Sequence, residues 1–324
     1  MKSKALALGL LTGIAGLILS PFQFALNLEE NTGLGLLFKL RGIKQPPSDV
    51  VVISIDRSSS EILKVSDNTD KWPRSLHARL TENLAKAGAE VIVYDVHFVE
   101  PRSTEEDKLF AESIKNSGIV ILAEPLKAKE VTPADNSNTH GGVHNIVKIV
   151  KPLPLFARSS VATAPFPLSR IPFKVNQYWT FQTGAGDSPT FPVVAFQFFT
   201  LQAYDAFLNL LKKVSPDHAR LLPVDSHTAT ETGDIKKLIT DLREIFASEP
   251  WIAQKMLEEL EQESYEPKTY RLVKTLIGLY QGNSTRYINF YGPPRTITTI
   301  PYHQALKLSE ETEGEGIDVK DKAV

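Results

Sequence analysis

The chain begins with a long apolar run and continues with a sequence of mixed polarity. No charged residue occurs in Ala5–Leu28, and as an α-helix this run would be about 36 Å long. That length is enough to cross the roughly 30 Å hydrocarbon core of a membrane with some tilt. The pattern therefore predicts a cytoplasmic N-terminus and a transmembrane anchor over residues 1–28.

A cleaved signal peptide is the alternative interpretation of the same run. It needs small residues at a cleavage site, whereas Ser20–Leu26 stays largely apolar and offers none. Lys2 and Lys4 precede the run and Glu29 follows it. Because lysine and arginine favour the cytoplasmic side, we expect an uncleaved, single-pass anchor in the cell inner membrane. The rest of the chain would then be periplasmic or extracellular.

Residues 29–48 are predicted to be a juxtamembrane helix and linker. Leu34, Leu37, Phe38 and Arg41 recur at the spacing of an amphipathic helix, and Gly42 is a suitable stop. The remaining residues, 49–324, are long enough for one large domain.

Short apolar runs then alternate with amphipathic helical patterns. The strand-like runs are Asp49–Asp56, Glu90–Asp95 and Ile119–Ala123. Pro73 suits the first turn of a helix between the first two runs, and Ser103 with Glu106 forms a capping box for a helix between the second and third. This order predicts an α/β fold with a mostly parallel central sheet, right-handed crossovers and helices on both faces.

The second half of the chain is less regular. Five prolines in Lys151–Pro172 argue against long helices and central strands there. The pattern predicts a core helix in Phe191–Val214, an inserted helical lobe of three amphipathic helices in about 215–285, and a strand in Tyr287–Tyr291. Asp318–Val324 resembles the start of a further strand, so we expect the natural chain to continue beyond it.

Composition narrows the classes of function. The net charge of −2 over 324 residues gives no reason to expect a nucleic-acid partner. The chain has no cysteine, which excludes disulfides and cysteine-based zinc sites.

Ionisable residues concentrate where the first two predicted strands end. Asp56 and Asp95 follow strands that we expect to be neighbours, and ligands of open α/β sheets lie outside the carboxyl ends of the strands. Two carboxylates about 5 Å apart would bind a divalent cation or share a proton. The alternative is structural: both aspartates cap helices or pair with Arg57 and Arg74.

A ligand pocket is therefore predicted at this edge of the sheet. Its candidate lining is Asp56, Arg57, Trp72, Arg74, His77, Asp95, His97 and Glu100. His97 and Glu100 would complete a metal site or serve as acid and base, but no histidine spacing typical of zinc accompanies them. We assign no metal, no cofactor and no catalytic residue. Trp72 is either a lid over the ligand or a core aromatic.

Several blocks of the sequence, taken in order, resemble a known family. They are Leu36–Gly42, Pro46-Pro47, Val50–Asp56, Trp72–Leu80, Ala87–Pro101 and Ile288–Pro294. They resemble the CHASE2 family, an extracytoplasmic sensory domain of bacterial transmembrane receptors. The resemblance implies an N-terminal span, this outer domain, further spans and a cytoplasmic cyclase, kinase or similar output domain.

The leading hypothesis is a sensory input domain that binds a ligand or partner protein outside the membrane, with homodimer formation left open. On this reading the chain is not an enzyme, because a cyclase or kinase activity would belong to the output domain. The alternatives are a membrane-anchored periplasmic hydrolase using Asp56, Asp95 and His97, and a cell-envelope scaffold. No serine or cysteine nucleophile motif supports the hydrolase.

Overall fold

The computed structural model describes residues 9–14, 16, 33–131, 144–167, 175–182, 186–231, 235–308 and 318–324. The chain divides into two compact units. The first comprises Met1–Pro46, Leu168–Tyr178 and Tyr287–Thr296, and the second Pro47–Pro167, Trp179–Arg286 and Ile297–Val324.

Most of the predicted anchor lies outside the described residues. Residues 9–14 and 16 are helical. In the part of the chain that the structure describes, no helix has the length and apolar character needed to span a membrane.

The helix predicted after the apolar run is present as α1 (Leu34–Arg41) in the first unit. It ends at Gly42, whose φ of 76° suits glycine. Arg41 donates hydrogen bonds to the Asn289 side chain and to the Phe290 carbonyl. Phe38 packs edge-on against Phe290, with ring centroids 5.6 Å apart. A late segment of the chain therefore fixes this helix within the first unit.

Strands and helices alternate through the remainder of the chain. The strands are β1 (Val52–Ser54), β2 (Ile92–Tyr94), β3 (Val120–Glu124), β4 (Leu126–Val131), β5 (His144–Ile149), β6 (Ala162–Pro165), β7 (Gln177–Trp179), β8 (Phe181–Gln182), β9 (Ser188–Pro189), β10 (Thr285–Tyr287) and β11 (Thr299–Pro301). The helices after α1 are α2 (Arg57–Leu63), α3 (Arg74–Lys86), α4 (Thr104–Ser117), α5 (Pro154–Ser159), α6 (Phe191–Phe199), α7 (Tyr204–Val214), α8 (Pro216–Ala219), α9 (Ser226–Glu231), α10 (Ile235–Ser248), α11 (Trp251–Gln262), α12 (Pro267–Leu279) and α13 (Tyr302–Ala305).

The second unit is built on parallel strands. β3 pairs with β2 on one side and β6 on the other, and β1 pairs with β11, all in parallel. Ala323 forms parallel bridges with both Val50 and Val91. Its N–H donates to the Asp49 carbonyl at 2.8 Å, and the Val324 N–H donates to the Val91 carbonyl at 2.9 Å. The C-terminal residues thus lie between β1 and β2 and give the order β11–β1–(323–324)–β2–β3–β6.

Alternate residues of the strands face two different cores. Ile92 and Leu122 pack into one core with α3 and α4, whereas Val91 and Ile121 pack into the other with the helices from α6 onwards. Side chains alternate between the faces of a strand, and a parallel sheet covered on both faces needs apolar residues on each. The predicted α/β fold with parallel strands is confirmed.

Only half of the capping box predicted at the start of α4 is present. Ser103 accepts the Glu106 N–H as predicted. The Glu106 carboxylate does not reach back to Ser103, however; it accepts the Arg74 N–H at 3.1 Å and the Ser75 hydroxyl at 3.0 Å. Glu106 therefore joins the start of α3 to the start of α4.

The three helices predicted for the lobe are present as α10, α11 and α12, but two other predictions need correction. The single helix expected in Phe191–Val214 is broken by a 3-10 turn at Thr200–Ala203, where the Thr200 hydroxyl bonds the Gln197 carbonyl at 2.8 Å and competes with the helical pattern. The strand expected at Tyr287–Tyr291 is β10, which ends at Tyr287. The β4–β5 hairpin and β11 were not predicted.

Replacing Ala323 with proline should destabilise the second unit. Proline has no N–H to donate to the Asp49 carbonyl and is excluded from central strands. We expect the free energy of unfolding of the purified chain to fall by more than about 1 kcal/mol, the net value of a single hydrogen bond. Ala323→Ser keeps the N–H and is the control. Equal unfolding midpoints for the two variants would contradict the central placement of residues 323–324.

Candidate functional site

Asp56 follows β1 and caps helix α2. Its Oδ1 accepts the Ser59 N–H at 2.9 Å and the Ser58 hydroxyl at 2.9 Å, and its Oδ2 accepts the Ser54 hydroxyl at 3.2 Å. Burial raises the pKa of this carboxyl, but the hydrogen bonds outweigh burial and lower the pKa to about 2. The contacts of Asp56 are thus those of an ionised helix cap.

The two aspartates are not on neighbouring strands as expected, because residues 323–324 lie between β1 and β2. Their strands are two spacings apart, which is about 10 Å, so the expected pair of carboxylates about 5 Å apart does not form. The expected partners also differ. Arg57 pairs with Glu61 on the surface of α2, and Arg74 approaches Asp107.

Asp95, His97 and Glu100 lie past the end of β2 with exposed side chains. Among the described residues, no hydrogen bond or ion pair involves the Asp95 or His97 side chain. The backbone carbonyl of Glu100 accepts a hydrogen bond from Arg74 at 3.4 Å. These three residues therefore present unburied polar groups at the carboxyl edge of the sheet.

Trp72 belongs to the core on the α3 side of the sheet. Its side chain is 1% exposed, its indole N–H donates to the Ser66 carbonyl at 2.7 Å, and its ring packs edge-on against Tyr302 at 4.9 Å. These contacts are those of a core aromatic rather than a lid.

Arg74 is buried at the first position of α3. Its Nε lies 3.6 Å from the Asp107 carboxylate, which is also buried. Its guanidinium lies over the rings of Phe98 and Phe156, at 4.6 Å and 5.7 Å from the centroids. A buried arginine of this kind is held by charge, by aromatic faces and by backbone carbonyls together.

His77 lies one turn further along α3 and is completely buried. Its Nδ1 is 2.9 Å from the Tyr302 hydroxyl, and the Nε2 has no partner in the described part of the chain. Burial, with the nearby charges of Arg74 and Arg102, lowers the pKa of His77 to about 3. Burial likewise raises the pKa of Tyr302. The imidazole is therefore neutral, and it shares one hydrogen bond with the Tyr302 hydroxyl.

Two further residues at this edge were not predicted. His303, the second residue of α13, places its Nδ1 3.0 Å from the Ser59 hydroxyl. Glu124 ends β3 and is buried; it accepts the Thr163 hydroxyl and lies 3.7 Å from the Lys236 Nζ. Glu124 follows an apolar run as Asp56 and Asp95 do, so the same criterion would have found it. No sequence pattern marks His303.

The arrangement does not resemble a hydrolytic centre. The Ser59 side chain is completely buried, and its oxygen accepts the His303 backbone N–H at 3.3 Å. Asp56, Asp95 and His97 do not form one cluster. Among the described residues, no group of three histidine, aspartate or glutamate side chains is placed to hold a metal ion.

The buried His77 should make stability depend on pH. Its folded pKa of about 3 lies below the ordinary 6.5, so the unfolded chain binds a proton that the folded chain does not. Stability is then present above pH 6.5 and is lost as the pH falls towards 3, by about 1.4 kcal/mol per pH unit.

Comparing two histidine variants isolates this contribution. His77→Gln should reduce the loss of unfolding free energy between pH 6.5 and pH 4 by up to about 3 kcal/mol. His97→Gln, which changes an exposed histidine, should leave that loss in place. Chemical denaturation at a series of pH values measures both. An unchanged pH dependence in His77→Gln would show that His77 is not the group responsible.

The family model of the CHASE2 domain matches residues 8–324, which include all the strands of the parallel sheet and the C-terminal residues between β1 and β2. No curated protein and no solved structure matches the chain. The chain therefore belongs to the CHASE2 domain family, a family of sensory domains of signalling receptors.

Proposed function

We propose that this chain is the extracytoplasmic sensory input domain of a bacterial membrane receptor. In this proposal it binds a ligand or partner protein outside the membrane and passes the signal to an output domain on the other side. Family membership supports the sensory role. The exposed polar groups that follow β2 support ligand binding at the carboxyl edge of the sheet.

The main observation in support of the proposal is that residues 323–324 pair with both β1 and β2. These residues bond to the backbone of β1 on one side and of β2 on the other. Ala323 pairs with Val50 and Val91, at the starts of β1 and β2. In a receptor whose chain continues beyond Val324, the next residues would run between these two strands towards the carboxyl edge, where the ligand is proposed to bind.

The residues predicted for the pocket have two different roles in this proposal. Asp95, His97 and Glu100 are exposed and meet the ligand. The others have a structural role. Asp56 and Arg57 belong to the start of α2, and Trp72, Arg74 and His77 lie in the core beneath the carboxyl edge. The ligand is therefore expected to be polar, with groups that bond to carboxylates and imidazole.

Helix α1 supports a position at a membrane surface. Phe38 and Arg41 are engaged with Phe290, while large apolar side chains on the rest of the segment are exposed. These are Leu36, Leu37, Leu40 and Ile43, with exposed fractions from 55% to 75%. An exposed patch of large apolar side chains supports contact with membrane lipids, and the predicted anchor directly precedes it.

The contact residues are tested in the full-length receptor through its output. Asp95→Asn and His97→Gln should each abolish the ligand-dependent response of a reporter gene. Their thermal unfolding midpoints should stay unchanged, because both side chains are exposed. Glu112→Gln, an exposed substitution on α4, is the matched control and should signal normally. Normal signalling by both test variants would place the ligand elsewhere.

Asp56→Ala tests whether Asp56 has a structural role or contacts the ligand. Loss of this cap should lower the free energy of unfolding by about 1 kcal/mol, and any loss of output should follow that destabilisation. Unchanged stability with abolished output would instead make Asp56 a ligand contact.

The predicted anchor should remain in the mature protein, because the apolar run offers no cleavage site. Mass spectrometry of the protein from membrane fractions should recover peptides from residues 1–20. A mature N-terminus near residues 20–30 would show that the run is a cleaved signal peptide.

A further inference from the structure

Two cavities lie side by side against helix α10, within the second unit. Their volumes are about 430 Å³ and 560 Å³, both in the size range of small-molecule sites. Phe181, Arg243 and Ala247 line both cavities, so these residues form the boundary between them. Neither cavity is lined by residues of the predicted ligand pocket.

The smaller cavity has an aromatic lining and no acidic group. Phe181, Phe246 and Tyr280 contribute buried rings, and the Phe246 and Tyr280 rings are stacked with centroids 5.9 Å apart. The charged residues in the lining are Arg243 and Arg286. A cavity with apolar rings and two guanidinium groups favours an anion that carries a flat apolar body.

Arg286 is held in place by the end of helix α12. Its guanidinium donates to the carbonyls of Gly278 at 3.1 Å and Leu279 at 2.7 Å, and also to that of Gln281. The Gly278 and Leu279 carbonyls belong to the last turn of α12, and the Gln281 carbonyl follows the end of the helix. The Nε of Arg286 is buried without a partner in the described part of the chain. The positive charge is therefore fixed beside the cavity.

Arg243 is the better placed of the two to bind a ligand. Its guanidinium lies over the Phe181 ring, 3.8 Å from the centroid. One nitrogen pairs with Asp187, which lines the larger cavity. The other nitrogen has the Ser284 hydroxyl at 3.4 Å, which is a long and weak hydrogen bond. On the Ser284 side the guanidinium is thus available to a stronger acceptor.

Asp187 neutralises Arg243 from a turn beside the larger cavity. Its φ is 57°, in the left-handed region that aspartate adopts more readily than most residues other than glycine. Its side chain is half exposed. An ion pair with a half-exposed, hydrated carboxylate is weak, so a ligand carboxylate can compete with it for the guanidinium.

From these contacts we infer that the smaller cavity binds a small monocarboxylate with an aromatic body. The carboxylate bonds to Arg243 on its Ser284 side, where the charge of Arg286 adds attraction, and the ring lies against Phe246 and Tyr280. This site goes beyond the proposed ligand pocket at the carboxyl edge of the sheet and does not depend on it.

The inference is tested by binding to the purified full chain. The probe is 4-fluorobenzoate, followed by fluorine NMR, and 4-fluorobenzamide is its neutral counterpart of the same shape. We expect the carboxylate to bind at least about 10-fold more tightly than the amide, because a hydrogen bond between charged groups contributes that much. Equal binding of the two probes, or no binding of the carboxylate, would overturn the inference.

Two variants should change the affinity for 4-fluorobenzoate in opposite directions. Arg243→Gln should weaken binding about 10-fold or more, whereas Asp187→Asn should strengthen it, because the competing carboxylate is removed. The matched controls are Arg220→Gln and Asp217→Asn, which alter an exposed ion pair on and beside α8 and should change nothing. If Arg243→Gln does not fold, Asp187→Asn alone decides: unchanged or weaker binding would overturn the inference.

Discussion

The parallel sheet depends on the backbone hydrogen bonds of its last two residues. β1 pairs with β11, and β2 pairs with β3 and β6, but β1 and β2 do not bond to each other. Ala323 and Val324 supply the missing bonds on both sides. Without them, buried backbone groups of β1 and β2 would have no partners, and β1–β11 would be an isolated pair of strands, which is marginal in water. The C-terminal residues therefore connect both halves of the sheet.

The core beneath the carboxyl edge is unusual in holding ionisable groups. Arg74, Asp107 and His77 are buried among aromatic rings, where an uncompensated charge would be costly. Arg74 is offset by Asp107 and by ring faces, and His77 avoids the cost by staying neutral. Tyr302 binds His77 while the adjacent His303 binds Ser59. Through these two residues, α13 ties the late part of the chain to both α3 and α2.

Local patterns predicted the parts of the fold that local chemistry determines. β1, β2 and β3 were recognisable because their sequences are almost continuously apolar, although Val52 of β1 is 40% exposed. Helices α3, α10, α11 and α12 were recognisable because their apolar stripes recur at helical spacing. The sheet order was not predictable, because the pairing of residues 323–324 with β1 and β2 is non-local. The same cause separated Asp56 from Asp95. Sequence spacing brought polar residues to the carboxyl edge of the sheet, but it does not show which of them are buried. Trp72, Arg74 and His77 proved to be core residues for this reason.

Helix α10 contacts both the smaller cavity and the carboxyl edge of the sheet. Arg243 and Lys236 are seven residues apart on this helix, which places them on one face two turns apart. Lys236 lies 3.7 Å from Glu124 at the carboxyl end of β3, while Arg243 borders both cavities. A ligand that draws Arg243 away from Asp187 acts on the same helix that pairs with the sheet edge. Since Glu124 is buried and Lys236 is its charged partner, a shift of α10 would leave a buried carboxylate less compensated. The Lys236–Glu124 ion pair is therefore one direct contact between the helix that borders the cavities and the carboxyl end of β3.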